Sequence, residues 1–323
     1  MRLLTIAAMV ALLLVVVSPE ANGGGGTPIT ACGQVVTTSA FLTQDLVCSG
    51  TSGVVVGANG ITIDLKGFTV KGDRLAGDFG VDDTSGYDKV AVKNGVLRNF
   101  EFGIWAVGAD NVSLASVVAS GNVNQGLLVS GGDAASIKSS TFSGNGADGV
   151  FISGDAAKIQ SSSASGNDTT GFVVDGGMGS IKSSTSFGNG IAGITLIGDG
   201  GTVQSSIVSG NASDGIDVSG NGSRVQSSTA SGNGGGGVDF FSSDAASVLS
   251  STVSGNAAAG ITVNGDAARI NGNRAEANGF AGSGNSDLFG FGVYAYGYTT
   301  PPVGVNVARG NDDPTECNPA SLC

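Results

Sequence analysis

The sequence predicts an all-β solenoid in which short strands stack in parallel, coil upon coil. A Ser/Gly/Asn-rich phrase recurs every 22 or 23 residues between Ser120 and Asn278, and three separate columns of residues keep this period. Apolar segments such as GLLV and GVFI are too short for helices, and turn-forming residues bound each of them. Because each residue type recurs once per period, like residues should lie about 4.8 Å apart in parallel strands.

The asparagine of each S-G-N phrase marks the same predicted turn in successive coils. Its side chain can hydrogen-bond the coils above and below, and the neighbouring glycine permits a left-handed corner. The predicted asparagine ladder consists of Asn122, Asn145, Asn167, Asn189, Asn211, Asn233, Asn256 and Asn278.

Residues 1–22 have the layout of a secretory signal peptide. A positive start at Arg2 precedes a 15-residue apolar run over residues 3–17, which is short for a membrane span. We therefore expect a protein that is exported to the periplasm or the outside of the cell and not inserted in a membrane. Residues 23–31, rich in glycine, are predicted to be a flexible linker.

Four cysteines fit an oxidising compartment. Neighbourhood favours the pairs Cys32–Cys48 and Cys317–Cys323, although four cysteines allow three connectivities. The absence of histidine and of C-x-x-C spacing argues against zinc. The predicted organisation is an N-terminal disulfide-tied cap over residues 32–53, a solenoid of about 10–12 coils over 54–310 and a disulfide-tied tail over 311–323.

The composition restricts the classes of partner. A formal net charge of −12 argues against nucleic acid and anionic membranes. A hydrophobic content of 40%, regularly placed, argues against disorder.

The S-G-N…G-I-x-V phrase resembles the repeats of right-handed parallel β-helix proteins of the pectate-lyase-like superfamily, and CGQVVTTSAFLTQDLVC (32–48) is similar to the first coils of secreted bacterial members. This resemblance implies a single right-handed parallel β-helix. It implies no particular activity, because the superfamily includes lyases, hydrolases, epimerases, adhesins and non-catalytic modules.

The catalytic motifs of that superfamily are incomplete here. A polygalacturonase-like hydrolase needs N-x-D, an Asp pair, G-H-G and R-x-K; the chain offers Asn285-Ser286-Asp287 and the pairs Asp82-Asp83 and Asp312-Asp313, with no histidine and no R-x-K. The D-P-H-D box of alginate epimerases is also missing, and copper ligands are poor. A calcium-dependent, lyase-like mechanism remains, because it needs only carboxylates and an Arg or Lys base.

Candidate site residues come from the outward positions of the G-φ-x-φ strands. Trp105 and Phe151 belong to an apolar stripe that can stack on sugar rings, unless the segment 73–88 covers it. Asp217 and Asp239 should stack in adjacent coils, with Asp175 in the neighbouring column. Such a pair is most simply a set of solvated surface acids; the other interpretations are a cation site, with calcium as the candidate, and catalysis. Tyr294, Tyr296 and Tyr298 alternate and should share a face, as an end cap or as a binding patch.

The sequence therefore favours a secreted, non-catalytic module that binds a polysaccharide or cell-surface glycan. The alternatives are a lyase-type, cation-dependent carbohydrate-active enzyme that uses Asp175, Asp217 and Asp239, and a passive adhesin or spacer. An enzyme predicts a groove over the acidic coils, a binder predicts exposed Trp105 and Phe151, and a spacer predicts neither.

Overall fold

The computed structural model describes residues 26–279, 290–313 and 315–323. It is a parallel β-helix of about 12 turns, as the 22-residue period predicts. Each regular coil contributes one strand to each of three faces. Every strand pairing in the described residues is parallel. The predicted fold class is confirmed.

Face 1 is a separate sheet of 13 strands. Its strands are β2 (Gln34–Val36), β5 (Val54–Val56), β8 (Phe79–Asp83), β10 (Phe102–Val107), β12 (Leu127–Ser130), β15 (Val150–Ser153), β18 (Phe172–Asp175), β21 (Ile194–Ile197), β24 (Ile216–Ser219), β27 (Val238–Phe240), β30 (Ile261–Asn264), β33 (Val293–Tyr296) and β35 (Cys317–Asn318).

Face 2 begins at the N-terminal end of the described chain. Its strands are β1 (Thr27–Ile29), β3 (Ala40–Leu42), β6 (Thr62–Asp64), the first halves of β9 (Ala91–Arg98) and β11 (Ser113–Ser120), β13 (Ser136–Lys138), β16 (Lys158–Gln160), β19 (Ser180–Lys182), β22 (Thr202–Gln204), β25 (Arg224–Gln226), β28 (Ser247–Leu249) and β31 (Arg269–Asn271).

Face 3 joins face 2 in a single sheet of 22 strands, because β9 and β11 run through both. Besides the second halves of β9 and β11, its strands are β4 (Leu46–Val47), β7 (Thr69–Lys71), β14 (Thr141–Ser143), β17 (Ser163–Ser165), β20 (Thr185–Phe187), β23 (Ile207–Ser209), β26 (Thr229–Ser231), β29 (Thr252–Ser254), β32 (Arg274–Glu276) and β34 (Val307–Arg309). A short 3₁₀ helix, Ala320–Leu322, follows β35.

The β-helix extends beyond the boundaries that the sequence predicted. β1 pairs with β3 and β2 pairs with β5, so residues expected in a linker and a cap already form coils. At the other end β35 pairs with β33, and Leu322 is buried over the last coil. The structure links Cys32 to Cys48 and Cys317 to Cys323. The first coils lack the S-G-N phrase, and for this reason the repeat alone did not include them.

The asparagine ladder runs through the buried corner between faces 3 and 1. Asn122 donates from both its backbone N and its Nδ2 to Asn145 Oδ1, at 3.2 and 2.9 Å. The same two bonds recur in each coil up to the pair Asn278–Asn311. All eight predicted asparagines are buried. Each side chain thus satisfies backbone groups at a corner that water cannot reach.

Two further ladders occupy the other corners. Between faces 2 and 3, the second serine of each Ser-Ser pair is buried and its hydroxyl accepts from the backbone N of the serine one coil earlier, as for Ser140 N and Ser162 Oγ at 3.2 Å. Between faces 1 and 2, exposed aspartates such as Asp133 accept from the next coil's backbone N. The sequence indicated bends at both places but not their ladders.

No helix in the described part of the chain is long and apolar enough to span a membrane.

Replacing one rung of the asparagine ladder should destabilise the whole solenoid. In Asn189→Ala, the backbone N and Nδ2 of Asn167 lose the oxygen that accepts both, inside a buried corner. Unsatisfied buried groups cost about 1–3 kcal/mol each, so we expect a loss of about 3–5 kcal/mol in the free energy of unfolding, measured by denaturant titration. The exposed corner variant Asn221→Ala is the control and should lose about 1 kcal/mol or less. Equal losses would contradict the role of the buried ladder.

Candidate functional site

The central column of face 1 consists of the outward residue at the middle of each strand. The register places Trp105 beside Leu128, which is followed by Phe151, and places Asp217 directly beside Asp239. In order, the column reads Val35, Val55, Asp82, Trp105, Leu128, Phe151, Val173, Thr195, Asp217, Asp239, Thr262, Tyr294 and Asn318.

A second column flanks the central one, and sequence reasoning missed it. It consists of the residue that precedes the glycine at the start of each face-1 strand. The glycine itself is required by the close approach of successive coils, because a Cβ on Gly126 would lie 2.7 Å from the carbonyl oxygen of Gly149. The flanking column reads Phe79, Phe102, Gln125, Asp148, Thr170, Ala192, Asp214, Gly236, Ala259 and Phe291.

Three aspartates from the two columns form an acid cluster: Asp214, Asp217 and Asp239. One carboxylate oxygen from each lies within 4.8 Å of the others. Asp214 and Asp217 belong to the same coil, and Asp239 lies one coil further on. Asp214 Oδ1 accepts from the backbone N of Gly236 at 2.5 Å, which fixes that carboxylate across the coil boundary.

The run of four glycines at 234–237 makes room for this cluster. A Cβ on Gly236 would lie 2.1 Å from Asp239 Oδ2, and a Cβ on Gly235 would lie 2.2 Å from Asp214 Oδ1. Other coils carry alanine, threonine or longer side chains at these positions. The glycine run is therefore specific to the coil that must accommodate two carboxyl groups.

Burial differs within the acid cluster: Asp239 is buried, whereas Asp214 and Asp217 are half-buried. Asp239 is only 6% exposed, and Asp217 Oδ1 is a buried oxygen without a hydrogen-bond partner in the described residues. The interpretation as a solvated surface acid is therefore corrected for Asp239, whereas Asp217 is partly exposed with one buried carboxylate oxygen. Sequence alternation places a side chain on the outside of a strand, but it does not show how deeply the neighbouring columns enclose it.

Burial and mutual repulsion change the protonation of the cluster. Desolvation, with a contribution from the negative charge of Asp214, raises the pKa of Asp217 to about 7. Desolvation also raises the pKa of Asp239 well above its ordinary value; the charge of Asp214 adds to this effect, and a hydrogen bond with the Thr262 side chain opposes it. A hydrogen bond with Asp214 further favours protonated Asp239. Both effects favour the protonated form of Asp239.

A pocket of about 230 Å³ opens beside the cluster. Asp214 and Asp239 line it, together with the small residues of the flanking column and with Phe241 and Tyr296. Asp217 is not part of its wall. Tyr296 stacks on Tyr294, with ring centroids 5.2 Å apart, and Tyr294 stacks on Phe291. Aromatic side chains therefore border the acidic pocket on its C-terminal side, whereas Tyr298 packs against the core.

A second aromatic group lies about five coils away, in the N-terminal half of face 1. Trp105 packs against Phe79 and Phe102, with both centroid distances 4.8 Å. Phe79 belongs to the segment 73–88, so that segment partly covers the tryptophan. Trp105 remains partly exposed, as does Phe151 two coils further on. The predicted apolar stripe therefore has some accessible surface.

The other predicted acids do not join the cluster. Asp175 is exposed in register with Ile197, at the edge of face 1, two coils before Ser219. Asp82 is in register with Trp105, whereas Asp83 points inward and is buried, which raises its pKa to about 6. Asp312 and Asp313 lie at the C-terminal end, and Asn285-Ser286-Asp287 lies outside the described residues.

The family model described as "Right handed beta helix region" matches residues 38–184 and 170–312. These matches cover most of the chain. The protein belongs to the right-handed β-helix family. No curated protein matches this β-helix protein by sequence.

Several solved structures share the fold. The A-module of the mannuronan C-5 epimerase AlgE6 from Azotobacter vinelandii has a TM-score of 0.63 at 16% identity, covering 84% of this chain and 85% of that one. The catalytic domain of a GH87 α-1,3-glucanase, solved with nigerose, has a TM-score of 0.61 at 13% identity, covering 91% of this chain and 63% of that one. The periplasmic alginate epimerase AlgG has a TM-score of 0.52 at 11% identity, with 88% and 76% covered. At these identities the similarity shows the fold alone.

Proposed function

We propose that this β-helix protein binds a polysaccharide along face 1 and hydrolyses it at the acid cluster. The observation that carries the proposal is a buried carboxyl group, Asp239, that lines a pocket beside a second carboxyl group, Asp214, and whose pKa is raised well above its ordinary value by burial. Bringing one buried and two half-buried acids together opposes folding, and a raised carboxyl pKa in a pocket is typical of an acid catalyst. This proposal replaces the non-catalytic module that the sequence favoured.

The two pocket carboxyls suit the two roles that glycoside hydrolysis requires. Asp239 would donate its proton to the glycosidic oxygen as that bond breaks, while an Asp214 oxygen bonds to the anomeric carbon. Water would then attack this carbon, release Asp214 and return a proton to Asp239. Retaining enzymes separate their carboxyls by about 5–5.5 Å and inverting enzymes by about 6.5–9.5 Å. The oxygens of the cluster lie within 4.8 Å of one another, and Asp239 and Asp214 share a hydrogen bond, so the two carboxyls are closer than in either class. They would have to part to admit the glycosidic bond, and the retaining separation is the nearer of the two.

Asp217 acts in this proposal as a positioning residue. It does not line the pocket, but its charge adjoins Asp239 and contributes to the raised pKa of that carboxyl. None of these steps requires histidine, which the chain lacks.

Aromatic side chains supply the binding surface. Phe241 and Tyr296 line the acidic pocket, and Trp105 and Phe151 are partly exposed in the N-terminal half of the face. Sugar rings stack on such surfaces through their apolar faces. The structural neighbours include an α-1,3-glucanase bound to nigerose and enzymes named for the epimerisation of mannuronan and alginate, which supports a polysaccharide as the substrate class.

The test is a search for new reducing ends after incubation with a panel of polysaccharides, followed by NMR assignment of the first anomer released. We expect the native protein to release products with retained configuration. Asp239→Asn should lose at least about 100-fold in rate, because a general acid contributes about 10²–10⁴-fold. Asp168→Asn, an exposed acid that belongs to neither column of face 1, is the matched control and should stay within about threefold. Absence of products from every polysaccharide, or equal activity in both variants, would contradict hydrolysis.

A divalent cation, with calcium as the candidate, is the second proposal for the same cluster. The three clustered oxygens favour it, because Ca²⁺ takes 6–8 oxygen ligands and Thr262 lies beside them. Calcium would neutralise the cluster. A rise in melting temperature with Ca²⁺ that Asp217→Asn abolishes would support this proposal, and an unchanged melting temperature would exclude it. The lyase-type mechanism has less support, since neither the central nor the flanking column contains an Arg or Lys to act as base.

We also propose that the protein works outside the cytoplasm. Its two disulfides are stable in an oxidising compartment, and residues 1–22 have the composition of an export signal.

A further inference from the structure

Positive side chains are absent from the strands of face 1, although Arg74 and Lys89 lie in the segments before and after β8. Ten of the Lys and Arg residues lie in strands, and all ten are on faces 2 and 3: Lys71, Lys93, Arg98, Lys138, Lys158, Lys182, Arg224, Arg269, Arg274 and Arg309. The 13 strands of face 1 contain none. Residues 280–289, which are outside the described part of the chain, contain no Lys or Arg in their sequence either.

Acidic side chains, by contrast, are present along face 1 and its flanking column, although raised pKa values reduce the charge of Asp217 and Asp239. Six aspartates occupy outward positions there: Asp82, Asp148, Asp175, Asp214, Asp217 and Asp239. They extend from the aromatic group around Trp105 to the acidic pocket. A polysaccharide that spans both features therefore passes carboxyl groups beside Trp105, beside Phe151 and at the pocket, and no strand of face 1 supplies a Lys or Arg opposite to it.

We infer that the glycan of face 1 is an uncharged polysaccharide and not a polyuronate. This inference rests on the proposed function. A uronate chain carries one carboxylate per sugar, which would face like charges without a counter-charge. The hydroxyls of a neutral sugar instead donate hydrogen bonds to carboxylates, and its ring faces stack on Trp105, Phe151 and Tyr296. This protein shares its fold with epimerases of mannuronan, but we expect its substrate to differ from mannuronan in charge.

The carboxylates also explain how hydroxyl-rich chains would be oriented. Exposed Asp175 lies in the strand beside Phe151, so an acceptor adjoins an apolar platform. The same combination recurs at the pocket, where Asp214 and Asp239 adjoin Phe241. Apolar platforms with neighbouring acceptors match a sugar ring with an apolar face and donor hydroxyls at its edge.

The experiment measures binding by calorimetry of the full mature chain carrying Asp239→Asn, which prevents turnover and keeps the charge of a protonated carboxyl. The probes are two panels of oligosaccharides, one of neutral glucans and mannans and one of mannuronate, guluronate and galacturonate oligomers. EDTA is present, and salt is varied from low ionic strength, with a Debye length of about 30 Å, to 1 M, with about 3 Å. We expect a neutral oligosaccharide to bind at least about tenfold more tightly than any uronate at low salt, with a smaller difference at 1 M.

A pair of charge variants tests the physical cause. Ser219→Lys places a cation at an exposed position of β24, beside the cluster, and Ser136→Lys places the same charge at an exposed position of β13 on face 2. Ser219→Lys should increase uronate affinity about fivefold or more at low salt, and Ser136→Lys should leave it unchanged.

The possible outcomes separate this inference from the proposed function. Uronate binding that equals or exceeds neutral binding in EDTA overturns the inference but leaves a polysaccharide site. Uronate binding that appears only with added Ca²⁺ overturns it in favour of a cation bridge at the acid cluster. Binding of neither panel contradicts the proposed function and this inference together.

Discussion

Lowering the pH from 8 to 5 is expected to increase the free energy of unfolding of this protein by about 3–4 kcal/mol. The main cause is Asp217, whose pKa rises from 3.8 to about 7 on folding. Each unit of pKa shift corresponds to about 1.4 kcal/mol. Between the unfolded pKa of 3.8 and the folded pKa of about 7, Asp217 is protonated in the folded chain but ionised in the unfolded chain. Its contribution to the free energy of unfolding is therefore fully present below about pH 3.8 and is lost as the pH rises through about 7. Asp239 and Asp83, whose pKa values are also raised, act in the same direction.

The opposite trend begins only in stronger acid. Hydrogen bonds and nearby cations lower the pKa of Asp64 and Glu276, and these groups lose their contribution as the pH falls below about 4. Maximum stability is therefore expected near pH 4–5 and not near neutrality.

Denaturant unfolding at several pH values measures this profile. Asp217→Asn should flatten it, because the variant has no proton to lose at this position, and should be more stable than the native protein at pH 8. Asp175→Asn, on the same face but exposed, should leave the slope unchanged. A native profile that is flat or rises between pH 5 and 8 would show that the acid cluster is hydrated and not withdrawn from water.

The period of the sequence was sufficient for the fold, because in a parallel solenoid one repeat length fixes the register of every face. It correctly brought Asp217 and Asp239 side by side and placed the Asn122 column at one corner. Burial of the two acids could not be deduced in the same way. It depends on how closely the flanking column approaches, and that is decided by Gly236 and Ala259, which carry no chemical signal of their own.

Asp214 was missed for a related reason. Strand alternation was applied only after the glycine of each coil, so the residue before that glycine was not assigned to face 1. The signal was nevertheless present as Asp214-Gly-Ile-Asp217, two acids separated by a glycine and an inward side chain, followed one coil later by four glycines. A run of glycines beside clustered acids indicates that the missing side chains leave space for the carboxyl groups, here those of Asp214 and Asp239.

Gly236→Ala is expected to remove the catalytic geometry while preserving the solenoid. The new Cβ would lie 2.1 Å from Asp239 Oδ2, which must therefore move. The backbone itself accepts alanine, since Ala192 and Ala259 occupy the same column in other coils. We expect a loss of about 1–3 kcal/mol in the free energy of unfolding from overpacking, and at least about 100-fold in hydrolytic rate.

A double-mutant cycle identifies the clash as the cause. In an Asp239→Ala background the carboxyl group is absent, so the added Gly236→Ala should cost little, giving a coupling energy of about 1–3 kcal/mol. Gly177→Ala is the control for glycine replacement itself, because its nearest atom would be 3.5 Å from the new Cβ and its φ is not positive. That variant should be neutral or slightly more stable. If Gly236→Ala lowers the free energy of unfolding equally with and without the Asp239 carboxyl, the glycine is required by the backbone and not by the carboxyl group. The glycine run would then give no support to a functional acid cluster.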